Sequence, residues 1–200
     1  MERINIMWRG NCVATRIYID QGHNPGNPNA GAETAGVLEQ DITYEVGQLL
    51  SDLLLQSGNY ETRLSRPTPS TSLGTTNSES LKARVDDANA WGADYFISIH
   101  ANTSSNPAVS GSEAFSYREP SRAFSLGEDI LEGLNEVTGL RNRGMKTRTN
   151  LYVLKRTNMP AVLVELGFMT NEGDLALMVN RPDLFAQGIY EGIVSYTGLA

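Results

Sequence analysis

Three short apolar runs, each closing on a side chain that can bind a metal or move a proton, constrain this chain more than any other feature. RIYID at Arg16–Asp20 leads through Gln-Gly to His23, ADYFISIHAN at Ala93–Asn102 contains His100, and AVLV at Ala161–Val164 leads directly into Glu165. His23 and His100 are the only 2 histidines among 200 residues. The runs are rich in β-branched and aromatic residues, as strands buried on both faces are. Loops after RIYID, after YETRL at Tyr60–Leu64 and after YFISI are long and full of Gly, Asn, Ser and Pro, whereas the returns at Gly58-Asn59 and Gly92-Ala93 are tight. Right-handed crossovers make those strands parallel and put every long loop on one edge. Ligands of open α/β sheets bind at that carboxyl edge.

The elements between the runs fit this frame. Ile42, Val46, Leu49, Leu50, Leu53 and Leu54 recur at helical spacing after Glu39, with Gly58 as the stop. Asn77 or Ser78 is positioned to cap a second helix whose inner face is Leu81, Val85, Ala88 and Trp91. SEAFSY at Ser112–Tyr117 reads as a strand leaving the long-loop edge, hence antiparallel, and Ala123 to Val137 as a helix climbing back. RNRGMKTRTN (Arg141–Asn150) then reads as a basic loop on the long-loop edge, LYVL (Leu151–Leu154) as a descending strand, and AVLV as a rising one. Pro182 suits the first turn of a final helix burying Leu184, Phe185, Ile189 and Ile193. The expectation is an α/β fold: a single domain, residues 15–200, with a twisted, mostly parallel mixed sheet of about six strands flanked by helices on both faces. Residues 1–14 form an N-terminal extension that matches no element; their apolar stretch INIMW is too short for a signal peptide and is followed by Arg-Gly-Asn.

Topology gathers His23, His100 and Glu165 on one edge and frames them with Arg141, Arg143, Lys146 and Arg148. Two histidines and a carboxylate around an open position are a usual ligand set for catalytic zinc, with a further acidic group to handle protons. Glu33, Glu39, Glu45 and Glu165 are the candidates for the two carboxylate roles. Glu39 opens a helix directly after the His23 loop, Glu45 lies nearly two turns further in, and Glu33 is mid-loop. Each has a bland reading. A strand-end histidine is often simply hydrogen-bonded, Glu39 suits the helix dipole, and Glu165 could be the buried partner of Arg66 or Arg84. An ionised carboxylate between AVLV and Leu-Gly-Phe is nevertheless costly unless paired or metal-bound. A net charge of −7 argues against a nucleic-acid partner, no window reaches the roughly 18 apolar residues of a membrane span, and the lone Cys12 excludes an internal disulfide.

RIYIDQGH, GVLEQDI, ADYFISIHAN and MPAVLVELGFMTN, in this order and spacing, closely resemble the zinc-dependent N-acetylmuramoyl-L-alanine amidases of the type-3 amidase domain, over about Arg16 to Tyr196. LSR at Leu64–Arg66, LKARVDDAN at Leu81–Asn89 and RGMK at Arg143–Lys146 agree as well. The resemblance implies one Zn2+ on His23, Glu39 and His100, and a catalytic role for Glu165. It implies hydrolysis of the amide between N-acetylmuramic acid and the first L-alanine of the peptidoglycan stem peptide, as an autolysin or endolysin does at the bacterial cell wall. Asn24, Asn102, Arg143 and Lys146 are then expected to contact substrate, and the chain to act as a monomer. Asn24-Pro25 departs from the Gly-Gly that many members carry after the first histidine, and RPTPSTSL lacks an acidic residue that commonly follows the Thr-Arg pair. Rival readings are another zinc peptidase such as a carboxypeptidase, separable by its products, and a non-catalytic wall-binding module, which would need none of the four reactive residues.

Overall fold

The computed structural model describes residues 14–199. In chain order the elements are β1 (Thr15–Gln21), β2 (Glu33–Thr34), β3 (Val37–Leu38), α1 (Glu39–Ser57), β4 (Tyr60–Leu64), α2 (Asn77–Trp91), β5 (Tyr95–Asn102), β6 (Ser112–Ser116), α3 (Arg122–Thr138), β7 (Asn142–Thr147), α4 (Tyr152–Arg156), β8 (Ala161–Phe168), α5 (Glu172–Asn180) and α6 (Pro182–Thr197). Six strands form one sheet in the order β4-β1-β5-β8-β6-β7, and β2 and β3 make a separate two-stranded ribbon. β4, β1, β5 and β8 are parallel, β6 joins β8 antiparallel, and β7 runs parallel to β6. This is the expected α/β architecture. The N-terminal extension falls almost wholly in residues 1–13, outside the described residues.

Strand alternation divides the interior into two layers. Ile17, Ile19, Ile97, Ile99, Val162 and Val164 face α1, α3 and α6 in the larger core. Tyr18, Phe96, Phe115, Ala161 and Leu163 face the other way, against Val85 and Ala88 of α2 and Val153 and Leu154 of α4. In the larger layer α3 and α6 approach so closely that a Cβ on Gly192 would lie 2.3 Å from the Ile130 Cα, so glycine is what permits that crossing. On that face Asp20 of β1, His100 of β5 and Leu163 of β8 border a cavity whose other wall is Leu81 of α2 and Tyr152 and Val153 of α4. No helix among the described residues is long and apolar enough to cross a membrane.

Two sequence expectations are corrected. Asn142–Thr147, expected as part of a basic loop, is strand β7, and LYVL, expected as a strand, supplies Leu151 as N-cap and the first three residues of helix α4. β7 is an edge strand with no fully buried residue, so its sequence carries no apolar alternation. LYVL is short enough for its apolar residues to serve a single helical turn, and Val153 and Leu154 pack as one patch onto the sheet. A smaller shift concerns α2, whose cap is Thr76, its hydroxyl accepting from the Glu79 N–H at 3.1 Å.

Candidate metal centre

The centre is built where three elements end together. β1 stops at Gln21, and the next residue, Gly22, donates its N–H to the Ile99 carbonyl at 3.0 Å. Gly22 lies so close to β5 that a Cβ there would sit 2.6 Å from His100 Cε1 and from the Ile99 oxygen. Only glycine allows this approach. His23 follows with a left-handed backbone, φ 67°, a conformation few non-glycine residues adopt and one that needs outside support. The support comes from Arg84, whose Nη2 donates to the His23 carbonyl at 2.6 Å and whose Nη1 is paired with Asp20 at 2.6 Å. Both Arg84 and Asp20 are fully buried, and Ser98 donates to the second Asp20 oxygen at 2.8 Å.

Glu39 is the first residue of α1 and reaches over the strand ends. Its Oε1 accepts from the Ala101 N–H at 3.1 Å and lies 3.1 Å from both His100 Nδ1 and His23 Nε2, while Oε2 accepts from the Ala32 N–H at 3.0 Å. The imidazole rings stand edge to face, with centroids 4.9 Å apart. Burial alone would raise the Glu39 carboxyl, but hydrogen bonds and charge from His100 and His23 hold it well below the usual carboxylate range. His100 is lowered by burial and raised by more through its bond to Glu39 and the charges of Glu165, Glu39 and Asp20.

These residues fit a metal ion. One ligand atom from each of His23, Glu39 and His100 lies within 4.8 Å of the others, close to the spacing a small tetrahedral cation needs. His23 Nδ1 is buried without a hydrogen-bond partner. Two imidazoles crowded onto one carboxylate oxygen form a site in which a cation can replace the shared contact. Of the rival carboxylates, Glu33 and Glu45 are exposed and outside this group. Gly22→Ala is expected to push the His100 ring aside and weaken metal binding by about 10–100-fold, the range for losing support of a ligand. Competition with a chromophoric chelator measures it, and wild-type affinity in the variant would contradict the packing argument.

Glu165 lies beside this group in β8. The register aligns His100 with Glu165 and Glu165 with Glu113, so the three side chains form a row across β5, β8 and β6 on the α2/α4 face. Neither Arg66 nor Arg84 pairs with Glu165. Arg66 donates to the Gln40 and Pro69 carbonyls, at 2.9 and 3.2 Å, and Arg84 is held by Asp20. Glu165 Oε2 is buried and makes no hydrogen bond. Burial pushes its pKa up to about 7, with Glu39 and Glu113 adding to the rise and His100 and Arg148 opposing it.

Four residues expected at the substrate prove to have internal partners. Asn24 is fully buried; its Nδ2 donates to the Pro28 and Leu73 carbonyls at 2.8 and 3.0 Å and its Oδ1 accepts from the Leu73 N–H at 3.1 Å, joining the first long loop to the second. The Asn24 side chain therefore shapes the loop. Asn102, Arg143 and Lys146 all converge on Glu113, at 3.0, 3.1 and 2.5 Å. Burial raises the Glu113 carboxyl, but these two cations hold it below its ordinary value. Glu113 was not among the sequence candidates. Its signal was available: a lone carboxylate inside SEAFS, a run otherwise made of residues that bury well.

Beside His23 and His100 opens a cavity of about 250 Å³ whose apolar wall is Leu81, Leu151, Tyr152, Val153 and Leu163.

The family model for N-acetylmuramoyl-L-alanine amidases matches residues 17–195. The chain is 34% identical over 188 residues to the N-acetylmuramoyl-L-alanine amidase LytC of Bacillus subtilis (strain 168), covering 92% of this chain and 36% of LytC. It is 35% identical over 179 residues to the N-acetylmuramoyl-L-alanine amidase CwlM of Bacillus licheniformis, covering 88% and 65%. The chain thus spans less than two thirds of either relative. Among solved structures, the catalytic domain of CwlV, an N-acetylmuramoyl-L-alanine amidase from Bacillus (Paenibacillus) polymyxa var. colistinus, superposes with a TM-score of 0.81 at 30% identity, covering 93% of this chain and 99% of that one. With the match extending over nearly all the described residues, the chain belongs to the N-acetylmuramoyl-L-alanine amidase family.

Proposed function

We propose that this chain hydrolyses the amide joining the lactyl group of N-acetylmuramic acid to the first L-alanine of the peptidoglycan stem peptide, and that it works at the bacterial cell wall. The observation that carries this is the His23–Glu39–His100 cluster with Glu165 beside it, one of its carboxylate oxygens buried and without a hydrogen-bond partner. His23, Glu39 and His100 would hold a zinc ion. Such an ion, when bound, polarises a carbonyl and brings the pKa of a water to about 7.

The remaining work falls to the protein. The Glu165 carboxylate takes the proton of the attacking water; the new C–O bond forms, the C–N bond breaks, and the same carboxyl group returns the proton to the departing alanine nitrogen. In the metal-free protein burial raises this carboxyl to about 7, and the charge of a bound cation would draw it down towards the ionised form that a general base needs. Glu113 sits on the far side of Glu165, neutralised by Arg143 and Lys146, which limits the repulsion two adjacent carboxylates would otherwise feel. Mass spectrometry of soluble products from purified sacculi tests the proposal. Intact stem peptides with a new alanine amine are expected; release of single amino acids would instead identify a carboxypeptidase, and no release at all would favour a binding module.

A further inference from the structure

We propose that the substrate lies across this site in one direction, its uncharged muramyl side in the cavity beside His23 and its carboxylate-bearing peptide side against Arg148. This deepens the amidase reading and rests on it. Charge sets the direction. Of the cations expected to frame the site, Arg143 and Lys146 are both held by Glu113, and Arg141 lies against Gly111, just before the outermost strand β7; Arg84 is paired with Asp20, both at most 2% exposed. Arg148 is exposed and makes no salt bridge among the described residues. Its guanidinium lies 4.9 Å from the centre of the Phe115 ring, and Phe115 pairs with Leu163, two residues from Glu165. Arg148 is therefore a cation beside the site, over the sheet face that carries Glu165, with no carboxylate partner among the described residues, and it is free to meet an anion.

Across Glu165, towards β5 and β1, the cavity offers the opposite environment. Leu81, Leu151, Tyr152, Val153 and Leu163 line it, and the only charged side chains in its lining besides the histidines are the mutually paired Asp20 and Arg84. A carboxylate entering there would lose water and find no free cation, which is strongly unfavourable. An N-acetylated sugar or a lactyl group carries no charge and can lie against Tyr152 and the leucines. The two environments are joined by one stretch of chain, since Tyr152 follows Arg148 by four residues at the start of α4. They are thus held in fixed relation to each other and to the row of His100 and Glu165.

Steady-state kinetics on two purified disaccharide-peptides test the direction, one with free stem carboxylates and one with those groups amidated. Arg148→Ala is expected to raise KM for the free acid about tenfold with kcat retained, as loss of a charge-assisted contact does, and to leave KM for the amidated substrate unchanged. Tyr152→Ala is expected to raise KM for both substrates by the same factor, and to have no effect on a peptide whose muramyl group is replaced by acetyl. Leu81→Asn is a second cavity variant, expected to behave as Tyr152→Ala does, should that one fold poorly. Equal effects of Arg148→Ala on acid and amide, or cavity variants that discriminate acid from amide, would overturn the orientation alone. A wild-type protein that cleaves neither muramyl amide would overturn the amidase reading and the orientation with it.

Discussion

Glu165→Gln is expected to fold, to keep its metal, and to hydrolyse sacculi about 10³-fold more slowly than the wild type, within the range for loss of a general acid–base. The glutamine fills the same space in the row between His100 and Glu113 but can neither take a proton from water nor return one to the leaving nitrogen. Metal binding is spared because the three ligand atoms come from other residues. Stability supplies an independent check. A carboxyl held near pKa 7 in the folded protein keeps its proton where the unfolded chain has released it. For the metal-free wild type the fold is thus penalised as pH rises from the ordinary carboxylate value to about 7, by up to about 3 kcal/mol. Metal-free Glu165→Gln lacks that penalty and is expected to melt at or above the wild-type temperature at pH 8. Wild-type turnover in this variant would remove Glu165 from the mechanism.

The largest effect on stability is expected at Asp20. Asp20→Ala leaves the Arg84 guanidinium buried with no counter-charge, a defect of about 3–5 kcal/mol. Because Arg84 also holds the His23 carbonyl, metal affinity should fall with stability. Urea denaturation and a metal titration read the two separately. Replacing the pair together, as Asp20→Ala with Arg84→Met, is expected to recover much of the stability but not the metal affinity, since the clamp on His23 is gone. The pair also sets an acid limit. Burial raises the Asp20 carboxyl, but the Arg84 charge and the bonds from Arg84 and Ser98 bring it below its ordinary value. Its contribution is therefore complete above about pH 4 and is lost as pH falls through the lower folded value. A variant carrying Asp20→Asn should show a weaker loss of stability over that acid range.

The parts legible in the sequence were those written as contrast between apolar runs and polar loops. RIYID, YFISI and AVLV could only be buried strands, the long loops could only share an edge, and the two histidines at strand ends followed. Glu39 was harder. Spacing left it in competition with Glu33 and Glu45, and family resemblance rather than geometry singled it out. The structure supplies the reason, a first-turn position from which the carboxylate spans to β5 and β1. β7 and α4 were not legible because neither has a pattern of its own. β7 is a half-exposed edge strand held through β6, and α4 is one turn fixed by Val153 and Leu154 against the sheet. The roles of Asn24 and Glu113 within the fold are illegible for a different reason. Their side chains act on partners 49 and 33 residues away, Leu73 and Lys146, and such pairings have no local trace.

Digestion of purified sacculi by metal-stripped protein, with and without one equivalent of zinc, followed by mass spectrometry of the soluble fraction, tests metal dependence and the bond cleaved together. The account predicts no release from the stripped protein, and recovery on adding zinc of intact stem peptides that begin with a free alanine amine. Stem peptides released equally by the stripped protein, or zinc-dependent release of any other fragment, would contradict it.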